Sequence, residues 1–153
     1  MDQYQEVFCF TMDNRRYAFP LISVDRVIQA VAVETIPNSP PLIYGLFDFY
    51  GSLVPAINLR YLLNLPCKPI SATDYFLVVD TPRRKLAMVI DEVDDVMVSF
   101  LHDFIPVSKI DKGLGASGFL QREDGLIVVY DLEAFISDRE EDLIQKVIDS
   151  TSR

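Results

Sequence analysis

The segment 35–60, TIPNSPPLIYGLFDFYGSLVPAINLR, leaves the backbone few choices. Pro37, Pro40 and Pro41 exclude a regular helix there and stiffen the approach. Gly45 and Gly51 mark places where the chain must bend or come close to a neighbour. Tyr50-Gly51-Ser52 separates two apolar runs, 46–49 and 53–57, which is the pattern of a β-hairpin. The segment holds no nucleophile, metal cluster or phosphate loop, so it points toward a binding module rather than an enzyme.

The chain has 153 residues, enough for one domain or two small, closely packed subdomains. Half of them are hydrophobic, so a sizeable core is available. No run approaches the roughly 20 apolar residues of a membrane span. The first residues, MDQYQEVFCF, are acidic and polar where a secretory signal needs positive charge and an apolar core. A cytoplasmic protein is expected. Cys9 and Cys67 have no metal or redox spacing and are expected as two reduced thiols. The net charge of -9 would repel phosphate backbones and anionic membrane surfaces. It is concentrated in the second half, where 76–153 carries 16 acidic against 9 basic residues. Solubility accounts for such an excess.

Short strands are predicted along most of the chain. They fall at 7–12 and 16–19, with turn chemistry at Asp13-Asn14. Leu21, Val24, Val27 and Ile28 recur at helical spacing and predict one or two helical turns. The β-branched run 31–36 predicts a strand. After the hairpin at 46–59, a helical turn is expected before Pro66. A connector at 68–73 leads to strands at 75–79, 86–90 and 93–100. A late hairpin at 119–130 turns at Glu123-Asp124-Gly125. Ser137 and Glu140 fit a capping box, each side chain satisfying a free backbone N–H. Leu143, Ile144, Val147 and Ile148 then form one apolar stripe, so a C-terminal helix over 138–149 is expected to cover a sheet face or dock a partner. The rhythm suggests a mainly-β fold of two small antiparallel barrels, with approximate subdomains at 16–67 plus a terminal segment and at 68–132.

Tests for chemistry fail one by one. Gly113-Leu-Gly115-Ala-Ser-Gly118 spells a dinucleotide fingerprint, but no βαβ unit surrounds it, so a loop is expected and no cofactor. Asp91, Glu92, Asp94 and Asp95 lack the spacing of a calcium loop and fit a solvated or protein-docking rim. Cys9 lies in an apolar strand, where a buried, inert thiol is expected rather than a nucleophile paired with His102. No catalytic residue, cofactor or metal site is assigned.

The residues do carry a resemblance. Phe8-Cys9-Phe10-Thr11, then Tyr17-Ala18-Phe19-Pro20-Leu21, Val24 and Val27, lead through Ile36-Pro37 and Pro40-Pro41 to Gly45. DFYGSLVPAINLR at 48–60 follows the form N-L-R-G-x-x-x-P-x-x-D-L-R. Leu86-Ala87-Met88-Val89-Ile90-Asp91-Glu92-Val93, Val96 and the closing GLIVVYDL at 125–132 continue it. Over roughly 6–136 the chain resembles the CheW-like coupling proteins of bacterial chemotaxis.

That resemblance implies two five-stranded, SH3-like antiparallel barrels packed together as a single domain, with a groove between them and short helical turns beside the C-terminal helix. It implies a non-catalytic adaptor tying the cytoplasmic helical tip of a chemoreceptor to the regulatory domain of a CheA-type histidine kinase. By position, Leu21, Val24, Val27 and Gly45 would form the receptor groove, with Tyr50 at its rim. Ala87 and Asp91 would contact the kinase. Leu21, Val24 and Val27 equally fit plain core residues. The chain departs from the pattern at Tyr50, where the signature has Arg, at Asp48 for Asn and at Asn58 for Asp. Arg26 stands where many members have Glu. Two other readings remain: a divergent scaffold of another sensory or motility system, and a small-molecule-binding barrel or enzyme.

Overall fold

The computed structural model describes residues 4–100, 104–106, 116–123 and 125–151. The chain begins with an antiparallel hairpin, β1 (Tyr4–Met12) and β2 (Arg15–Pro20), whose loop residues Asp13 and Asn14 both take positive φ. A single 3-10 turn, Leu21–Ser23, leads into β3 (Val24–Gln29). Next come β4 (Ile43–Phe49), β5 (Ser52–Ile57) and the short helix α1 (Leu59–Leu62). Strands β6 (Tyr75–Asp80), β7 (Lys85–Ile90), β8 (Glu92–Phe100) and β9 (Phe104–Pro106) follow. The chain closes with β10 (Ala116–Arg122), β11 (Gly125–Tyr130), α2 (Leu132–Phe135) and α3 (Asp138–Thr151).

The strands form two sheets, ordered β8-β1-β2-β11-β10-β9 and β3-β6-β7-β5-β4. The fold is mainly β and has two units, as expected, but one sheet has six strands and neither is purely antiparallel. Strand β11 runs parallel to β2, and β5 parallel to β7. Nor do the sheets divide the chain near residue 67. The chain starts in the six-stranded sheet, crosses at the 3-10 turn to build all of the five-stranded one, and returns at Asp91.

The segment that follows β3 reaches the opposite edge of the five-stranded sheet at β4. Glu34 exchanges both backbone hydrogen bonds with Leu46 of β4, at 2.7 and 2.9 Å. This contact explains Gly45. A Cβ there would lie 2.4 Å from the Glu34 carbonyl oxygen, too close for any side chain. The expected strand over 31–36 reduces to this bridge at Glu34. At the other end of β4, Tyr50 and Gly51 both take positive φ and join β4 to β5 through a two-residue hairpin loop.

Alternation along the strands sorts side chains between three cores. In β1, Val7 and Cys9 point into the six-stranded sheet's own core with Ala18, Ile127 and Val129. Phe8, Phe10 and Met12 point the other way, into a central core shared by both sheets. In β7, Leu86, Met88 and Ile90 enter that central core, while Ala87 and Val89 enter the five-stranded sheet's interior with Phe47, Phe49 and Phe76. Strands buried on both faces read as unbroken apolar runs.

The helical spacing of Leu21, Val24 and Val27 has a different cause. A β-bulge at Asp25 sets Val24 against Val79 and Arg26 against Val78. The extra residue returns Val27 to the face of Val24, so a strand acquires a period of three. The capping box is also rearranged. The Ser137 hydroxyl bonds the Glu140 carboxylate directly, and the Glu141 N–H goes to the Ser137 carbonyl at 3.0 Å. Helix α3 lays Ile144 and Val147 on the central core, with Leu143 and Ile148 beside them. No helix among the described residues is long and apolar enough to cross a membrane.

Candidate protein-binding surface

The site grows from the rim of the central core. Leu21, Val24 and Val27 are half-buried and pack against it. They reach the surface because β3 is an edge strand. The 3-10 turn pushes the next residue, Ile22, almost wholly into solvent, at 94 % exposed. Ile22 and Leu21 line an open cavity of about 550 Å³ with Tyr4, Gln5 and Glu6 of β1. Tyr4 pairs with Phe100 of β8, ring centroids 6.3 Å apart, and Phe8 pairs with Val96. Val96, Val98 and Phe100 are exposed on this outer face, while Met97 packs inside. An apolar surface therefore continues from the β3 rim across β1 to the edge strand β8.

Sequence reasoning reached Leu21, Val24 and Val27 but missed Tyr4, Ile22, Val98 and Phe100. The signal was the imperfect alternation of β8, where apolar residues occupy both faces although only one is covered. An exposed apolar patch of this kind marks a docking surface more often than an isolated exposed side chain does.

Gly45 and Tyr50 are not part of that surface. Gly45 is buried and allows the close approach of Glu34 described above. Tyr50 is 81 % exposed at the β4–β5 tip, and its partner is Arg26. The Arg26 guanidinium lies 5.2 Å from the Tyr50 ring centroid and 5.5 Å from that of Phe49, and its Nη1 donates to the Tyr50 hydroxyl at 3.3 Å. Arg26 sits on the opposite face of β3 from Val24 and Val27, because its partner Val78 belongs to the interior of the five-stranded sheet. The five residues assigned to one groove thus fall into three places. The two departures from the family pattern, Arg26 and Tyr50, meet as a cation–π pair.

Ala87 has no exposed surface and cannot itself touch a partner. Its small side chain sits where β7 runs parallel to β5, against Ala56. Asp91, the link between β7 and β8, is engaged within the chain. Arg60 Nη2 donates to both its carboxylate oxygens, and the Asp13 amide donates to Oδ2 at 2.8 Å. Asn58, where the signature has Asp, caps α1 by accepting from the Tyr61 amide at 3.3 Å. Its Nδ2 also donates to the Pro41 carbonyl at 3.1 Å, a bond that a carboxylate cannot make.

The titratable groups serve the fold. Burial pushes the Cys9 thiol up to about 11, which keeps it protonated and unreactive at neutral pH. Its proposed partner His102 lies outside the described residues, as do Gly113 and Gly115. The hydrogen bond from Lys85 holds Asp25 below the usual carboxylate range, and Asp80 and Asp25 together raise Lys85. Asp94 accepts from Thr11 at 2.9 Å and pairs with Arg16. Among the described residues no group of three or more His, Cys, Asp or Glu side chains converges as a metal site would require.

The family model for the CheW-like domain matches residues 6–140. The chemotaxis protein CheW of Klebsiella aerogenes is 25 % identical, covering 95 % of this chain and 90 % of that protein. The corresponding protein of Treponema pallidum is 21 % identical over 91 % of this chain and 86 % of its own length. Among solved structures, the scaffolding protein TtCheW of Thermoanaerobacter tengcongensis superposes with a TM-score of 0.78 at 20 % identity, covering 90 % of this chain and 96 % of that one.

Proposed function

Because this chain belongs to the CheW-like domain family, we propose that it is a non-catalytic chemotaxis adaptor, working in the cytoplasm, that couples a receptor's helical tip to the regulatory domain of a CheA-type kinase. The observation that carries this reading is the apolar surface running from Leu21, Val24 and Val27 through Ile22 and Tyr4 to Phe100, Val98 and Val96. An amphipathic receptor helix would lay its apolar anchors along that surface. The kinase domain would meet the end of a sheet, with Ala87 and Asp91 shaping that end from beneath rather than touching the partner. Control of the kinase then comes from the geometry in which the two partners are held.

The Arg26–Tyr50 pair favours a partner that differs from those of members carrying Glu and Arg at these positions. An exposed guanidinium beside an acidic second half would make binding sensitive to salt.

Calorimetric titration against the kinase regulatory domain and the receptor tip from the same cell tests the reading. Micromolar or tighter binding to both supports it, with the receptor interaction weakened by Ile22→Asp. Failure to bind either partner overturns the coupling role and leaves the family membership intact.

A further inference from the structure

The apolar surface read as the receptor site holds a carboxylate among its hydrophobic side chains. Tyr4, Glu6 and Phe8 share one face of β1, and Glu6 stands directly opposite Val98 of β8, as Tyr4 does opposite Phe100 and Phe8 opposite Val96. On its other side β1 pairs with β2, where Val7 faces Pro20, so the 3-10 turn that follows brings Leu21 and Ile22 alongside. Glu6 lines the cavity of about 550 Å³ together with Tyr4, Leu21 and Ile22. Its flanking residues Tyr4, Ile22 and Val98 are all exposed large hydrophobics. Glu6 is itself exposed, and no described lysine or arginine pairs with it. Asp25 at the β3 bulge differs, because Lys85 Nζ donates to it at 3.0 Å.

In the free protein, water solvates the Glu6 carboxylate. A helix laid across Tyr4, Ile22 and Val98 removes that water. A charge taken out of water without a partner is strongly unfavourable, and here it would oppose docking. A helix whose contact face is wholly apolar, or acidic at this point, is therefore rejected. We propose that Glu6 selects the helix that binds this surface, by requiring a lysine or arginine within its apolar contact face. The aliphatic stem of that residue would lie on Ile22 and Val98 while its charged head reaches the carboxylate. The inference rests on the reading of this surface as the receptor site and adds the chemistry that the helix must present there.

The test is calorimetric titration of the receptor tip from the same cell into the full chain and its Glu6→Gln and Glu6→Lys variants. Both substitutions alter a solvent-exposed position, so both proteins should fold and melt as the wild type does. Glu6→Gln is expected to weaken binding by about tenfold or more, because a hydrogen bond between charged groups is lost. Glu6→Lys should weaken it further, because two cations then meet across the contact. Each lysine and arginine of the tip is next changed to glutamate in turn. One of these tip variants should lose affinity for the wild-type protein and regain it with Glu6→Lys. Wild-type binding that neither Glu6 variant weakens overturns the inference and leaves the receptor surface standing. Weakening that no tip variant restores overturns it as well. Absence of wild-type binding removes the receptor reading, and this inference with it.

Discussion

Arg60 Nη2 binds both carboxylate oxygens of Asp91, at 2.7 and 2.6 Å, across 31 residues of chain. Arg60 is 7 % exposed and Asp91 20 %, so the pair is largely out of water. Asp91 is the residue at which the chain leaves the five-stranded sheet for the six-stranded one. Arg60 also reaches Asp13 in the β1–β2 turn at 3.9 Å and the Pro66 carbonyl at 3.4 Å. One guanidinium thus ties both sheets together at their crossing point. Arg60→Ala should destabilise the protein by about 2–4 kcal/mol, because Asp91 is left partly buried without its cation. Urea unfolding measures this, and a loss under about 1 kcal/mol would contradict the pinning role.

Gly45 and Gly51 respond to alanine for different reasons. At Gly45 the new Cβ strikes the Glu34 backbone at 2.4 Å, and that backbone cannot move aside without breaking its two hydrogen bonds to Leu46. A loss of about 3 kcal/mol or more is expected, at or beyond the upper end of overpacking costs. At Gly51 nothing lies within 4 Å, and only the positive φ of 90° opposes the substitution. About 1 kcal/mol is expected there. Thermal melts of the two variants should rank in that order.

The cysteines differ in reactivity although neither is bridged. Cys67 is exposed and should react with a thiol reagent within the native protein. Cys9 should react only on unfolding, since it is buried and its pKa is raised. The pH dependence follows from the direction of that shift. The folded pKa, about 11, exceeds the ordinary 9.0, so the unfolded chain releases the proton first. The contribution of Cys9 to stability is complete below pH 9 and is lost as pH rises toward 11. Tyr130, pushed by burial from 10.0 up to about 12, adds a second loss at higher pH. Cys9→Ala should flatten the fall in stability between pH 9 and 11, read from denaturant midpoints at each pH.

Arg26 and Tyr50 form a measurable pair. A double-mutant cycle with Arg26→Ala and Tyr50→Ala should give a coupling of about 0.5–1 kcal/mol, as for an exposed cation–π contact. Tyr50→Arg alone sets two guanidinium groups side by side and should lower stability slightly. Adding Arg26→Glu restores opposite charges and should recover it. A partner that recognises the present pair should lose affinity for the doubly changed protein.

The apolar surface predicts a separation between folding and binding. Ile22→Asp and Val98→Asp alter solvent-exposed positions and should leave the melting temperature within about 2–3 °C, as expected for surface changes. Both should weaken capture of the receptor tip by at least about tenfold if the helix crosses the whole surface. Loss at Ile22 with none at Val98 would confine the contact to the β3 side.

Much of the fold was legible from local chemistry. Asp13-Asn14 is a turn because those residues tolerate positive φ, and at Tyr50-Gly51 it is Gly51 that favours the turn while Tyr50 takes positive φ against its own preference; both loops close as two-residue hairpins. The strands expected at 75–79 and 86–90, which span 75–80 and 85–90, required only their apolar runs, and the amphipathic C-terminal helix only its periodicity. Strand β3 was misread because a bulge gave it helical spacing. The candidate site was legible at Leu21, Val24 and Val27, whose apolar character is local. It was not legible at Gly45, Ala87 or Asp91, whose positions matched a pattern while their surroundings remained hidden. Gly45 meets Glu34, Ala87 meets Ala56, and Asp91 meets Arg60, all through pairings between separated segments.

The sequence by itself determined that this chain is mainly β, that it turns tightly at 13–14 and 50–51, and that its central strands are apolar on both faces. Turn propensity and hydrophobic alternation act over a few residues, so they can be read without a structure. Only the tertiary structure decided that the sheets interleave along the chain, that Arg26 lies over Tyr50, and that Tyr4, Ile22, Val98 and Phe100 share one exposed surface. Those outcomes depend on which strand edges meet, and strand pairing is a cooperative balance of burial across the whole molecule.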